Sequence, residues 1–72
     1  MLRVEKPRYN EGNQNGVLDI QVSTAAELPS LGDTVCGLKI QSGSIAQIIQ
    51  SGVWATLDAD GSWYDTDGNE VN

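Results

Sequence analysis

From Val17 onward the hydrophobic pattern of the chain has period two. In VLDIQV, Leu18, Ile20 and Val22 fall on one side while Val17, Asp19 and Gln21 fall on the other, the alternation of a half-buried strand. The preceding residues 1–16, MLRVEKPRYNEGNQNG, hold Pro7, two glycines and three asparagines with almost no apolar periodicity. They predict an extended N-terminal arm, because so polar a segment cannot bury enough surface to order itself. Two readings of the arm stay open: a terminal tail, or a peptide that orders against a neighbouring subunit. Val4 and Tyr9 would be its apolar anchors and Arg3, Lys6 and Arg8 its charges.

After the first strand, Thr24-Ala25-Ala26-Glu27 has capping-box spacing, but Pro29 follows closely, so the connector TAAELPSLGD has room for one helical turn. From Thr34 the apolar runs are short: TVCGLKI, IAQIIQ, VWATLD and WYDTD, separated by QSGS, SG and ADGS. Separators of this length suit hairpins and are too short for crossover helices, so the strands are expected to be antiparallel neighbours. In TVCGLKI, alternation places Cys36 with Leu38 and Ile40 as a small core residue. In IAQIIQ both faces carry isoleucine. Residues 44–50 therefore read either as a strand whose second face meets another chain, through Ile45, Ile48 and Ile49, or as a helix, since those three also fit spacings of three and four. The fold class expected is mainly β: a small antiparallel meander or sandwich of about four to five short strands over residues 17–72, with the arm over residues 1–16.

Composition narrows the functions. A chain of 72 residues forms one domain and buries only ~60% of the surface exposed when unfolded, so a partner or a second copy is an expected source of stability. One cysteine and no histidine leave no intrachain disulfide and no zinc set. No run approaches the ~20 apolar residues of a membrane span, and the first residues lack the apolar centre of a signal peptide, so a soluble product made in a cytoplasm is expected. The net charge of −6 repels phosphate backbones and argues against nucleic-acid binding.

The densest candidate for chemistry is DADGSWYDTDG, residues 58–68. An EF-hand calcium loop needs glycine at its sixth position and glutamate at its twelfth. Counted from Asp58 these are Trp63 and Asn69, and counted from Asp65 the chain ends too soon. Asp60-Gly61 and Asp67-Gly68 instead suit type I′ hairpin turns, with the carboxylates in solvent. Weak cation binding by those carboxylates stays open. No cofactor or metal site and no catalytic set is expected: there is no histidine, no activated serine and no Gly-rich phosphate loop. Trp54, Trp63 and Tyr64 are the candidate binding aromatics. Trp54 shares the polar face of its strand with Thr56 and Asp58, which makes it the better surface candidate; both tryptophans in the core is the alternative.

The order of features from Ser23 to Tyr64 resembles a small β-module of tailed-bacteriophage structural proteins, found in head fibres, tail fibres and their attachment segments. The resemblance is carried by Ala26, Glu27, Leu28, Pro29, Gly32 and Asp33, then by Asp60, Gly61 and Trp63. The aromatic usual in the middle strand is replaced here by the isoleucines of IAQIIQ. What the resemblance implies is a non-enzymatic virion protein, located in the virion and in the host cytoplasm during assembly. Its partners would be itself, as a homotrimer or multi-copy lattice, and a capsid or tail protein. The competing class is a small monomeric or dimeric module that binds a host protein or a carbohydrate through Trp54 and Trp63.

Overall fold

The computed structural model describes residues 2–10 and 15–71, with the side chains of residues 6–10 outside that description. Among the described residues eight strands form one sheet: β1 (Leu2–Asn10), β2 (Asn15–Val22), β3 (Thr34–Val35), β4 (Leu38–Ile40), β5 (Ile45–Ile48), β6 (Val53–Leu57), β7 (Trp63–Asp65) and β8 (Glu70–Val71). The path across the sheet is β3-β4-β2-β5-β6-β7-β8, and β1 lies antiparallel along the other edge of β2. The mainly β expectation holds; the count of four to five strands does not.

Three features of the sequence account for the larger count. TVCGLKI is not one strand but a hairpin, in which Val35 pairs with Leu38 across a two-residue loop. Cys36 and Gly37 both have positive φ (51° and 82°), the requirement of a type I′ turn. Cys36 is therefore exposed at a hairpin tip and not in the core beside Ile40. The C-terminal segment likewise doubles back, giving β7 and β8. The segment read as an arm runs, over Leu2–Asn10, as β1, with register shifts between Val4 and Lys6 and between Pro7 and Tyr9.

The meander is also corrected. Strands β5 to β8 are successive antiparallel neighbours, as the short separators require. Strand β2, however, pairs in parallel with β4 through Asn15 and Gly16 and with β5 through Asp19 to Val22. Parallel pairing needs a connection of a dozen or more residues, and the connector together with the β3-β4 hairpin supplies it. Strands β4 and β5 are thus not partners: they lie end to end along the same edge of β2.

The gap between them is bridged by side-chain chemistry. Gln41 N–H donates to Gly16 O (3.0 Å), and one residue pair further on Leu18 N–H donates to Ser44 Oγ (3.0 Å), whose hydroxyl donates to Gln41 O (2.7 Å). Ser44 is fully buried among apolar neighbours. It takes the place of the backbone acceptor missing where the chain turns, so no peptide N–H of β2 is stranded there.

One face of the sheet is the core. Leu18, Ile20 and Val22 of β2, Ile40 of β4, Ala46 and Ile48 of β5, Ala55 and Leu57 of β6 and Trp63 of β7 are buried together with Val35. The burial of β2 alternates residue by residue, as its sequence predicts. The connector lies against this face: a single 3₁₀ turn, Ala25–Glu27, with Ala25 and Leu28 packed on the core. Glu27 Oε1 reaches back to accept from Thr24 N–H (3.2 Å) and Ser23 N–H (3.0 Å), the capping that the spacing predicts, and Pro29 ends the turn. Trp63 Nε1–H donates to Pro29 O (2.8 Å) and ties sheet to connector.

Candidate functional site on the outer face of the sheet

The opposite face is built by the same alternation. In β6, Ala55 and Leu57 point into the core while Trp54 and Thr56 point out. The register then sets two rows of outward residues. The first runs Gln21, Gln47, Trp54 and the second Asp19, Ile45, Thr56, Tyr64, Glu70, each residue paired with the next across adjacent strands. Trp54 is 52% exposed, the most exposed large apolar side chain among the described residues. Beside it lies an open groove of about 390 Å³ lined by Glu5, Asp19, Ile20, Gln21, Gln47 and Trp54. The floor is organised by an amide pair, Gln21 Nε2–H donating to Gln47 Oε1 at 2.9 Å. A second groove, about 380 Å³, opens beside Thr56, Asp58, Tyr64 and Gly68.

Tyr64 is held at the edge of this face by its hydroxyl, which donates to Asp60 Oδ2 (2.7 Å). The Ser62 N–H (2.8 Å to Asp60 Oδ1) and then the Tyr64 hydroxyl hold the Asp60 carboxyl below its ordinary range. The same carboxylate, as acceptor, raises the Tyr64 phenol above its ordinary value. Because the Asp60 value is depressed on folding, its contribution to stability is present above the unfolded carboxyl value and is lost as pH falls through the folded one. The Tyr64 contribution is present below the ordinary phenol value and is lost as pH rises through the raised one. Replacing Tyr64 with phenylalanine is expected to raise the Asp60 value only part of the way back, since the Ser62 N–H is the larger cause and is untouched. Carboxyl carbon chemical shifts followed through a pH titration measure this, and an Asp60 titration identical to the parent would refute it.

The two Asp-Gly loops differ from the type I′ expectation. Gly61 and Gly68 have positive φ (89° and 84°), whereas among the described residues Cys36 is the sole non-glycine residue with positive φ, so Asp60 and Asp67 do not share it. In the first loop Gly61 N–H donates to Asp58 O (3.0 Å) and Asp58 N–H to Ser62 O (2.9 Å). In the second, Gly68 N–H donates to Asp65 O (3.0 Å) and Asp65 N–H to Asn69 O (2.9 Å). These are three-residue loops, a turn followed by a left-handed glycine. The side chains complete them: Asp58 Oδ1 accepts from Ala59 N–H (2.7 Å), and Asp65 Oδ1 accepts from Asp67 and Asn69 N–H (2.9 Å each). DADGS and DTDGN are one loop design used twice, with carboxylates committed to their own backbone. Among the described residues no group of three or more His, Cys, Asp or Glu side chains could hold a metal ion.

Of the aromatics named from sequence, Trp54 and Tyr64 belong to the outer face, while Trp63 is buried at 4% exposure. Ile45, Ile48 and Ile49 do not share a surface. Ile45 is half-buried on the outer face, Ile48 is in the core, and Ile49 stands 50% exposed where the chain turns after β5. Period two puts Ile45 and Ile48 on opposite faces, and the strand ends before Ile49. Arg3 pairs with Glu5 (2.7 Å) and Val4 packs on the core; the side chains of Lys6, Arg8 and Tyr9 lie outside the described residues. Gln21 and Gln47, which sequence reasoning missed, carry no signal beyond facing outward; what joins them is the parallel register of β2 and β5. Compared with protein-family models, with curated proteins and with solved structures, the chain matches none.

Proposed function

We propose that the chain is a non-enzymatic structural protein of a bacteriophage virion, a capsid-decoration, head-fibre or tail-associated module. It acts by self-assembly and by docking on a larger capsid or tail lattice. The virion assignment rests on the resemblance of the connector and the Asp-Gly hairpin to phage β-modules; the assembly mechanism rests on the placement of β1. This strand of nine residues pairs with β2 along one edge, and among the described residues no strand pairs with its other edge. An open edge of that length is a template for a strand of another chain, interrupted here by Pro7 and the register shifts, which keep such pairing short.

Charge and apolar surface support the same edge. Three of the four basic residues, Arg3, Lys6 and Arg8, lie on β1, while the chain as a whole carries −6. A basic edge on an acidic body favours a head-to-tail contact between copies, or with an acidic lattice protein. Leu2, 36% exposed, pairs with Val22, and the exposed Ile49 donates its N–H to Val22 O, so two exposed apolar side chains adjoin that end of β2.

Sedimentation of the purified chain across a concentration series tests the mechanism. Species larger than the 7.7 kDa monomer are expected, and reversing Arg3, Lys6 and Arg8 together to glutamate is expected to return the monomer with its sheet intact by circular dichroism. A cooperatively folded monomer at every concentration would remove self-assembly. Mass spectrometry of gradient-purified particles tests the assignment itself, which fails if the chain's peptides do not band with capsid protein.

A further inference from the structure

Independently of the open edge of β1 and of the virion reading, we infer that the groove beside Trp54 is a binding site for a neutral, pyranose-containing oligosaccharide. The recognition chemistry is complete on one face of the sheet. The indole of Trp54 is more than half exposed and offers a flat ring, against which the C–H face of a pyranose can stack as other amphipathic groups do. Around it are groups that match sugar hydroxyls, each of which both donates and accepts. The Gln21–Gln47 bond uses one amide N–H and one amide oxygen, leaving the Gln47 NH₂ as donor and the Gln21 Oε1 as acceptor, while the carboxylates of Glu5 and Asp19 line the same groove. The pairing fixes both glutamines without a bound ligand, so little side-chain entropy remains to be lost on binding. The groove volume, about 390 Å³, lies within the range of small-ligand sites. A longer saccharide reaches the second groove at Thr56 and Tyr64, residues of the neighbouring outward row.

A protein occupant fits this face less well. Five strand spacings by about four residues give ~320 Å², less than half of the ~800 Å² that each side of a stable protein interface buries. A second copy would also bring its own Glu5, Asp19 and Glu70 against the same carboxylates. An acidic sugar meets that same repulsion, which is why the ligand is neutral.

The test uses the whole chain on an array of neutral and acidic oligosaccharides, followed by titration with the best binder, read by amide chemical shifts. Binding of a neutral oligosaccharide is expected, with perturbations at Gln21, Gln47 and Trp54. Trp54→Ala is expected to weaken it at least ~10-fold, Trp54→Tyr to keep most of the affinity, and Gln47→Ala to weaken it several-fold. Circular dichroism of each variant confirms that the sheet is retained. Absence of any neutral binder at ~10 mM sugar, a preference for acidic glycans, or Trp54→Ala abolishing self-association while leaving sugar binding intact would each overturn the assignment.

Discussion

Replacing Trp63 with alanine is expected to remove a large fraction of the chain's stability. Trp63 is 4% exposed, fills the core where β6 and β7 meet, and donates its indole N–H to Pro29 O. Truncating a buried aromatic of this size costs ~3–5 kcal/mol. Stability of ~0.05–0.15 kcal/mol per residue gives a chain of this length only ~4–11 kcal/mol in all. The loss also loosens the connector, which keeps the packing of Ala25 and Leu28 and the Gly32 N–H to Ile40 O bond but loses the indole bond to Pro29 O. Trp63→Phe separates the two effects: it keeps most of the packing and strands the Pro29 carbonyl, at ~1–3 kcal/mol. Urea unfolding followed by circular dichroism measures both variants. An alanine variant within ~1 kcal/mol of the parent would show that the connector and sheet are held together by something else.

Ser44→Ala should produce the second largest effect, although it removes a single oxygen atom. That oxygen accepts the Leu18 N–H inside the core and donates to Gln41 O. Alanine leaves the amide buried with no acceptor, and a stranded buried donor costs more than a surface hydrogen bond contributes, ~2–3 kcal/mol here with both bonds lost. The damage is local. Hydrogen exchange is expected to quicken at Leu18, where the substitution removes the acceptor, and to change less at Gln47 and Ile48, which lie further along β5. Full protection of the Leu18 amide in the variant would mean that another group takes over as acceptor.

Much of the local structure is legible in the sequence, because its causes are local. The alternation of VLDIQV and of VWATL assigns Leu18, Ile20, Val22, Ala55 and Leu57 to the core and Trp54 to the surface. The glutamate three residues after Thr24, with Pro29 close behind, gives the single 3₁₀ turn. The two Asp-Gly loops are legible as turns, though not in their type: an aspartate just before the glycine satisfies either geometry on paper, and only the glycine takes positive φ. The Cys36 turn is hidden because cysteine carries no preference for left-handed backbone, whereas an asparagine there would have announced it. The parallel pairing of β2 is hidden for a different reason. It depends on where a long connector delivers the chain, and residues 26 apart, such as Gln21 and Gln47, leave no periodic trace of their meeting. The candidate site inherits that limit: its tryptophan can be found by alternation, its amides only by register. The two-faced apolarity of IAQIIQ, which reads as a search for a partner, has an internal setting as well, since Ile45 sits between Asp19 and Thr56 of its own sheet.

The parallel ladder also divides the sheet in time. Ile48 and Val53 are partners five residues apart, whereas Val22 and Ile48 are partners 26 apart. By loop-closure entropy the longer loop costs ~1.5 kcal/mol more to close before any contact repays it. The β5-β6-β7-β8 ribbon can therefore condense on its own neighbours, and β2 docks on a template already formed. During synthesis the order is reversed: β2 leaves the ribosome before either strand that will hold its inner edge has been made. β2 can pair early with β1, whose Asn10 is the partner of Gly16 six residues on, but its inner edge waits for strands not yet translated.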